Sequence, residues 1–249
     1  SGYMQNQQLI PDCKIDIGEF WGEVTKYARE NKVDPTLSYM LILENKMHEA
    51  GVEISRENLI NYGKQLKLFS GVDDWFGRIK EYGKENNIEI EHYIISSGLT
   101  NMIEGCNFYN QIDRVYACEY IFKDARGLWP KLSVNYSNKV QYLYRIHKGA
   151  FEVNDQEGVN KKKYLGDHIH VPFENMIFFG DGETDVPTFN VLNKNNGKSI
   201  CIYEDQDQKS IDIAKKLFSD GRVHHLVKND YSEGSEADNL VKEIIKSKT

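Results

Sequence analysis

The chain has 249 residues, of which 40% are apolar and 28% are charged, and its formal net charge is −7. This composition is typical of a protein that folds around a core, and the negative charge argues against nucleic acid as the main partner, because phosphate-backbone binding needs a basic face. The sequence has no uninterrupted apolar run of about 18 residues and no basic-then-apolar leader, so we expect a cytoplasmic protein with no membrane partner.

Four cysteines are scattered along the chain, and no two of them form a C-x-x-C pair. This spacing predicts reduced and mostly buried thiols, with neither disulfides nor structural zinc.

The first quarter of the chain has the apolar periodicity of helices. Between about residues 15 and 69, apolar residues recur at spacings of three and four. The triplet Asp34-Pro35-Thr36 indicates a helix start, because proline in the first turn lacks only an N–H that would be unpaired there. Ser55 can begin a further helix. We therefore predict a small helical unit, to which the aromatic residues Trp21 and Tyr39 belong.

After Gly71 the pattern changes to alternating helices and short apolar strands, which is typical of a parallel sheet covered by helices. We predict an α/β fold with a Rossmann-like parallel sheet and helices on both faces. The expected strands lie near residues 92–95, 115–118, 176–179, 199–202 and 222–227. A β-hairpin is expected around residues 124–127, and helices are expected near residues 72–86, 138–147, 186–192, 211–218 and 236–245.

An acidic turn follows the predicted strand at 176–179. Asp181 and Asp185 are four residues apart, and Gly180 and Gly182 permit a tight turn and the close approach of a ligand. Two carboxylates about 4 Å apart repel by roughly 4 kcal/mol at an effective dielectric near 20, so a pair needs a proton or a cation. Mg²⁺ is the natural candidate because it prefers oxygen ligands. The alternative is an acidic helix start, in which Asp185 interacts only with the helix dipole.

Two other polar residues occupy positions where a phosphate could bind. Ser96 follows the predicted strand at 92–95, and a hydroxyl before a helix start can hold a phosphate oxygen together with backbone N–H groups. Lys139 lies at the start of a predicted helix, where a cation is unfavourable unless an anion compensates it. The alternatives are a simple helix cap for Ser96 or Ser97 and a surface position for Lys139.

Taken in chain order, these segments resemble the second, third and fourth motifs of the haloacid dehalogenase superfamily of phosphatases and hydrolases. They are Ile94-Ile95-Ser96-Ser97-Gly98, then Lys139, then Phe179-Gly180-Asp181-Gly182-Glu183-Thr184-Asp185. Leu68-Phe69-Ser70-Gly71-Val72 is similar to the return from the helical cap in phosphoserine-phosphatase-like members. The resemblance covers nearly the whole chain and implies a helical cap at residues 1–70 and an α/β core at residues 71–249.

The resemblance also implies a role for each matching residue. Ser96 binds a phosphoryl oxygen, with Ser97 and Gly98 beside it, and Lys139 stabilises the charged intermediate. Asp181 is a direct Mg²⁺ ligand, Asp185 supports it directly or through water, and Gly182 leaves room for the phosphate. The cap sets substrate choice in such proteins, so Trp21 and Tyr39 shape the pocket unless they are only cap core. The implied activity is hydrolysis of a small phosphomonoester through an aspartyl-phosphate.

One expected motif is absent from the sequence. The first motif of the family is an apolar strand that ends in Asp-x-Asp, in which the first aspartate is the nucleophile and the second the general acid and base. No such strand precedes the helical segment, and Asp16-Ile17-Gly18 has glycine at the second position. We therefore expect that the sequence begins downstream of its natural start and that this chain alone forms no aspartyl-phosphate. A non-catalytic protein that binds magnesium, phosphate or a protein partner is the alternative, and an unrelated doubly wound domain is another.

Overall fold

The computed structural model describes residues 4–124, 126–160 and 169–248. The fold is α/β and Rossmann-like, as the sequence predicts. The α-helices are α1 (Leu9–Asp12), α2 (Ile17–Asn31), α3 (Pro35–Glu49), α4 (Arg56–Lys64), α5 (Val72–Glu85), α6 (Thr100–Glu104), α7 (Lys139–Lys148), α8 (Gln156–Asn160), α9 (Val186–Lys194), α10 (Gln208–Ser219) and α11 (Glu236–Lys246). The strands are β1 (Tyr93–Leu99), β2 (Arg114–Lys123), β3 (Arg126–Leu132), β4 (Ile177–Gly180), β5 (Lys198–Tyr203) and β6 (His225–Lys228).

The chain divides into two compact units. The first comprises residues 1–135 and 241–249, and the second comprises residues 136–240. The early helices therefore belong to the same unit as β1, β2 and β3, where α3 packs on β3, and do not form a unit of their own. The assignment of residues 1–70 as a cap stays a prediction.

The early helices begin where the sequence predicts. Asp34 caps α3, because its Oδ1 accepts hydrogen bonds from the backbone N–H groups of Thr36 and Leu37, and Pro35 occupies the first turn. Ser55 caps α4 by accepting from the N–H of Asn58 at 3.2 Å. These caps satisfy N–H groups that otherwise have no partner within the helix.

Two glycines allow α4 and α6 to touch through their backbones. A Cβ added to Gly63 would lie 1.9 Å from the Met102 carbonyl oxygen, and one added to Gly105 would lie 2.1 Å from the Ile60 carbonyl oxygen. Neither position tolerates a larger residue without moving a helix. This contact fixes the helical region against α6, which directly follows β1.

The sheet of the first unit is mixed. Strand β1 runs parallel to β2, and β2 pairs with β3 in an antiparallel hairpin. The expected hairpin near residues 124–127 is therefore confirmed. The register between β1 and β2 shifts between Ser96 and Leu99, so β1 is irregular at its carboxyl end.

The sheet of the second unit is parallel, with the order β4-β5-β6. Its core consists of Phe189, Cys201, Ala214, Leu217 and Val223, which come from α9, β5, α10 and the segment before β6. All four cysteines of the chain are buried free thiols. Among the helices in the described ranges, none combines the length and apolar character needed to cross a membrane.

Candidate functional site

A buried ion pair lies at the carboxyl end of β4. The Lys139 ammonium donates to Oδ1 of Asp185 at 2.7 Å, and only 11% and 3% of the two side chains are exposed. Lys139 is the first residue of α7, and Asp185 directly precedes α9. The sequence predicts that a lysine at this helix start needs a local anion, and Asp185 is that anion. The alternative of a surface lysine is wrong.

The second oxygen of Asp185 holds the acidic turn in place. Its Oδ2 accepts a hydrogen bond from the backbone N–H of Asp181 at 3.0 Å. Gly180 makes this closure possible, since a Cβ there would lie 2.6 Å from Asp185 Oδ2 and 2.6 Å from the Phe189 ring. One carboxylate therefore joins the end of β4 to the start of α7.

The electrostatics of the turn reflect this burial. Burial raises the pKa of Asp185 above its usual range, and the Lys139 ammonium opposes that rise. Burial also raises the pKa of the Cys201 thiol to about 12, with further contributions from the carboxylates of Asp181 and Asp185. The carboxylates of Asp181 and Asp185 thus both act on the Cys201 thiol, but the partner of the Asp185 carboxylate is the Lys139 ammonium.

Of the two aspartates in the turn, Asp181 is the one that faces solvent, as does the neighbouring Glu183. The Asp181 side chain is exposed, whereas that of Asp185 is buried and bound at both oxygens. Gly182 has extended backbone and open space where a Cβ would project. An exposed carboxylate beside open backbone suits Mg²⁺, which keeps several waters and takes one or two carboxylates from a protein. Asp181 fits that ligand role better than Asp185. No group of three or more His, Cys, Asp or Glu residues that could hold a metal occurs within the described ranges.

The structure corrects the expected environment of Ser96, Ser97 and Gly98. The sequence predicts a turn followed by a helix start, but all three residues lie within β1, and the helix begins only at Thr100. Ser96 therefore does not directly precede the helix start whose backbone N–H groups were expected to help it hold a phosphate oxygen. The strand continues because residues 93–96 pair with β2 and Leu99 pairs again after the register shift.

Ser96 acts as a hydrogen-bond acceptor within β1. Its Oγ accepts from the backbone N–H of Gly98 at 3.0 Å, and this bond does not use the hydroxyl proton. The next carbonyl, that of Ser97, accepts from the Tyr39 hydroxyl at 2.8 Å. Tyr39 itself is buried and its ring lies 5.8 Å from that of Trp21. The helix α3 thereby contributes to the surroundings of Ser96.

The predicted site residues fall into two groups. Lys139, Asp181, Gly182 and Asp185 belong to the second unit, where the structure brings them together. Ser96, Ser97 and Gly98 belong to the first unit. The sequence order of the motifs therefore corresponds to one cluster in each unit.

Sequence reasoning missed one Asp-x-Asp that directly follows a strand. Asp205-Gln206-Asp207 lies after β5, beyond the predicted strand at 199–202. Asp207 caps α10 by accepting from the N–H of Lys209 at 3.0 Å, and Asp205 lies 3.8 Å from the Lys228 ammonium. Both aspartates are exposed. Asp207 thus has a helix-capping role, and Asp205 pairs weakly at the surface.

Comparison with known proteins identifies no family. No protein-family model matches the chain. The chain is similar to a protein of Borreliella burgdorferi that bears the description "Uncharacterized protein", with 28% identity over 273 residues, 98% of this chain and 92% of that protein being covered. The description of that protein states neither an activity nor a ligand.

Proposed function

We propose that this chain carries the phosphate-binding and magnesium-binding parts of a haloacid-dehalogenase-like phosphohydrolase that acts on a small phosphomonoester. The observation that supports it best is the buried pair of Lys139 and Asp185. These residues are 46 positions apart, and they meet at the carboxyl end of a parallel strand, where ligands bind in folds of this class. A buried ion pair costs desolvation free energy, so its position at this edge favours a role in a site.

Each residue has a role under this proposal. Asp181 is a ligand of Mg²⁺, which would supply positive charge to a phosphoryl oxygen. Lys139 neutralises negative charge on the phosphoryl group, and Asp185 holds the Lys139 ammonium and the Asp181 backbone in position. Gly182 leaves room for the phosphate. Ser96 donates its hydroxyl proton to a phosphoryl oxygen, with Ser97 and Gly98 shaping the strand end around it. The roles of Ser96, Ser97 and Gly98 rest on the sequence resemblance.

Under this proposal, an aspartate at the end of a further parallel strand supplies the nucleophile. Strands β1 and β4 each have an edge along which a further strand could pair. Within the described residues, β1 pairs only with β2, and β4 pairs only with β5. Their sequences at 93–96 and 177–179 carry no charge or proline, whereas natural edge strands commonly do. A parallel strand added along β4 would end beside Asp181.

The test is an assay of p-nitrophenyl phosphate hydrolysis with and without Mg²⁺. Residues 1–249 are compared with a form that includes whatever residues are encoded upstream of Ser1. We expect Mg²⁺-dependent turnover only in the longer form, and a loss of about a hundredfold or more in Asp181→Asn, because a metal ligand supplies several kcal/mol of transition-state stabilisation. Asp205→Asn is the matched control, since it also neutralises an aspartate after a strand of this sheet. No turnover in either form, or full turnover in Asp181→Asn, would refute the proposal.

A non-catalytic relic that binds magnesium and phosphate is the second candidate. It is favoured by two observations: the turn offers only the exposed carboxylates of Asp181 and Glu183, and in the Asp-x-Asp after the neighbouring strand β5, Asp207 already caps α10. Calorimetric titration of residues 1–249 with MgCl₂ and with inorganic phosphate distinguishes the two candidates. Binding without turnover in either form supports the relic, whereas failure to bind either ion removes it.

The proposal also covers the partners of the protein and its location in the cell. A small phosphorylated molecule is the partner, and nucleic acid and membrane are not, in keeping with the net charge of −7. We propose a cytoplasmic location. Fractionation of cells that express the tagged chain tests it, and recovery in a membrane or extracellular fraction would contradict it.

A further inference from the structure

The hairpin of β2 and β3 exposes three large apolar side chains in the first unit. The exposed fractions are 48% for Ile121, 60% for Leu128 and 68% for Trp129. Ile121 and Trp129 are directly opposite one another in the antiparallel pair. Tyr120, the neighbour of Ile121, points to the other face, where its hydroxyl donates to the Met40 carbonyl oxygen of α3 at 2.6 Å. The hairpin is therefore covered by α3 on one face and open on the other.

An insertion in β3 makes this exposure possible. Ile121 pairs with Trp129 and Phe122 pairs with Gly127, so Leu128 is an extra residue on β3. In a regular strand, Leu128 and Trp129 would point to opposite faces, but a bulge re-aims side chains, and here both are exposed. Keeping apolar surface in water is unfavourable, and a contiguous exposed patch commonly marks an interaction site. The open face of the hairpin is thus a candidate for contact with another molecule.

Charged residues lie at both ends of these apolar side chains. Strand β2 has no insertion between residues 119 and 123, so Glu119, Ile121 and Lys123 share a face. Lys131 of β3 belongs to the same face, because its ammonium lies 3.0 Å from the Glu119 carboxylate. Along β2 this face is acidic, then apolar, then basic. We call it the ribbon face, and it consists of Glu119, Ile121, Lys123, Leu128, Trp129 and Lys131.

This order of charges fits a second copy of the same chain. A two-fold axis between Ile121 and Trp129 brings the Lys123 ammonium of each copy to the Glu119 carboxylate of the other, with the apolar side chains between the two pairs. The ribbon face has a formal charge of +1, from two lysines and one glutamate, whereas the chain has −7. Two acidic chains repel one another, and contact through a face without excess negative charge reduces that repulsion.

We propose that the ribbon face is the contact surface of a two-fold symmetric homodimer of this chain. Trp129 is the central residue of the contact, since buried tryptophans are among the residues that contribute most to such interfaces. The faces meet, and not the edges of β3, because Pro130 has no N–H to donate to an added strand. The six residues are fewer than the roughly 20–30 that a standard interface uses on each side, so the dimer is weak and reversible. The inference does not depend on the proposed function.

Sedimentation velocity of residues 1–249 over a range of micromolar concentrations tests the proposal. We expect the wild type to change from monomer to dimer as its concentration rises. Trp129→Lys should weaken this association about thirtyfold or more, because it removes the central residue of the contact. Phe218→Lys is the matched control, since Phe218 is an aromatic residue of α10 that is 50% exposed, and it should associate as the wild type does. A wild type that stays monomeric, or a Trp129→Lys variant that still dimerises fully, overturns the proposal.

Two charge reversals test the two-fold geometry. Lys123→Glu and Glu119→Lys each place like charges against one another in a homodimer, so each variant alone should associate about fivefold more weakly than the wild type. In a heterodimer of the two variants, both pairs have opposite charges again. An equimolar mixture should therefore associate about as well as the wild type. A mixture that associates no better than the single variants contradicts this contact.

A lipid surface is the other occupant that an apolar face with lysines suits. Co-sedimentation with vesicles of phosphatidylcholine and phosphatidylserine tests for it. A chain that stays monomeric but binds these vesicles assigns the face to lipid and overturns the proposal. The concentration dependence of the wild type needs no variant, so it decides the question even if a variant does not fold.

Discussion

Replacing Lys139 by methionine removes one partner of the buried ion pair and leaves the other in place. At 2.7 Å, the attraction between Nζ and Asp185 Oδ1 is about 6 kcal/mol at an effective dielectric near 20, and desolvation offsets much of it. The net contribution of the intact pair to the free energy of unfolding is therefore small. Removing only Lys139 costs more than that contribution, because it leaves the buried Asp185 carboxylate without a cation. We expect Lys139→Met to destabilise the second unit by about 3–5 kcal/mol at neutral pH.

Amide hydrogen exchange followed by mass spectrometry is the suitable assay. All three tryptophans, Trp21, Trp75 and Trp129, belong to the first unit, so tryptophan fluorescence does not report on this site. Peptides that cover β4 and α9 should exchange about a hundredfold faster or more in Lys139→Met, since each 1.4 kcal/mol is a factor of ten. Lys194→Met, an exposed lysine of α9, should leave exchange unchanged.

A second substitution and the pH separate charge from packing. Adding Asp185→Asn to Lys139→Met removes the isolated charge, so the double variant should recover most of the lost protection. Without Lys139, the Asp185 pKa rises further, and the penalty applies only while the carboxylate is ionised. The penalty should therefore shrink as the pH falls through that raised pKa. Two results would refute this reasoning. One is an exchange rate in Lys139→Met less than about fivefold above that of the wild type, and the other is a double variant that exchanges as fast as Lys139→Met.

Three further predictions concern the first unit, where urea unfolding followed by tryptophan fluorescence is the measurement. Burial lowers the pKa of His92 to about 4 from its usual 6.5, so the unfolded state binds more protons than the folded state between these pH values. The free energy of unfolding should therefore fall by about 3 kcal/mol as the pH drops from 6.5 to 4. A free energy that does not change with pH, or the same pH dependence in His92→Gln, would contradict this. Gly105→Ala places a Cβ 2.1 Å from a carbonyl oxygen of α4 and should cost about 1–3 kcal/mol, whereas Gly22→Ala, which has open space in α2, should be neutral or slightly stabilising. Asp34→Ala should lower the free energy of unfolding by about 1–2 kcal/mol, and by more than Asp16→Ala does. Asp34 accepts from two backbone N–H groups and from the Asn135 side chain, whereas Asp16 accepts from one backbone N–H. Equal losses in the two variants would contradict this.

The order and type of most elements follow from local sequence. The helix start at Asp34-Pro35 and the hairpin after β2 are set by residues close together in the chain, and the structure has both. The alternation that begins after Gly71 likewise predicts the α/β class, because strand and helix periodicities are properties of short windows. The extent of β1 is different. Local sequence favours a turn at Ser96–Gly98, and pairing with β2 overrides it.

The sequence by itself determined which residues are candidates for a phosphate and magnesium site, since Ser96, Lys139, Asp181 and Asp185 stand in the order of a known set of motifs. Only the tertiary structure decided how they differ. Asp185 is bound at both oxygens by Lys139 and by the turn, whereas Asp181 faces solvent. Burial and hydrogen-bond partners depend on residues far apart in the chain, such as the 46 positions between Lys139 and Asp185, and no local pattern encodes them.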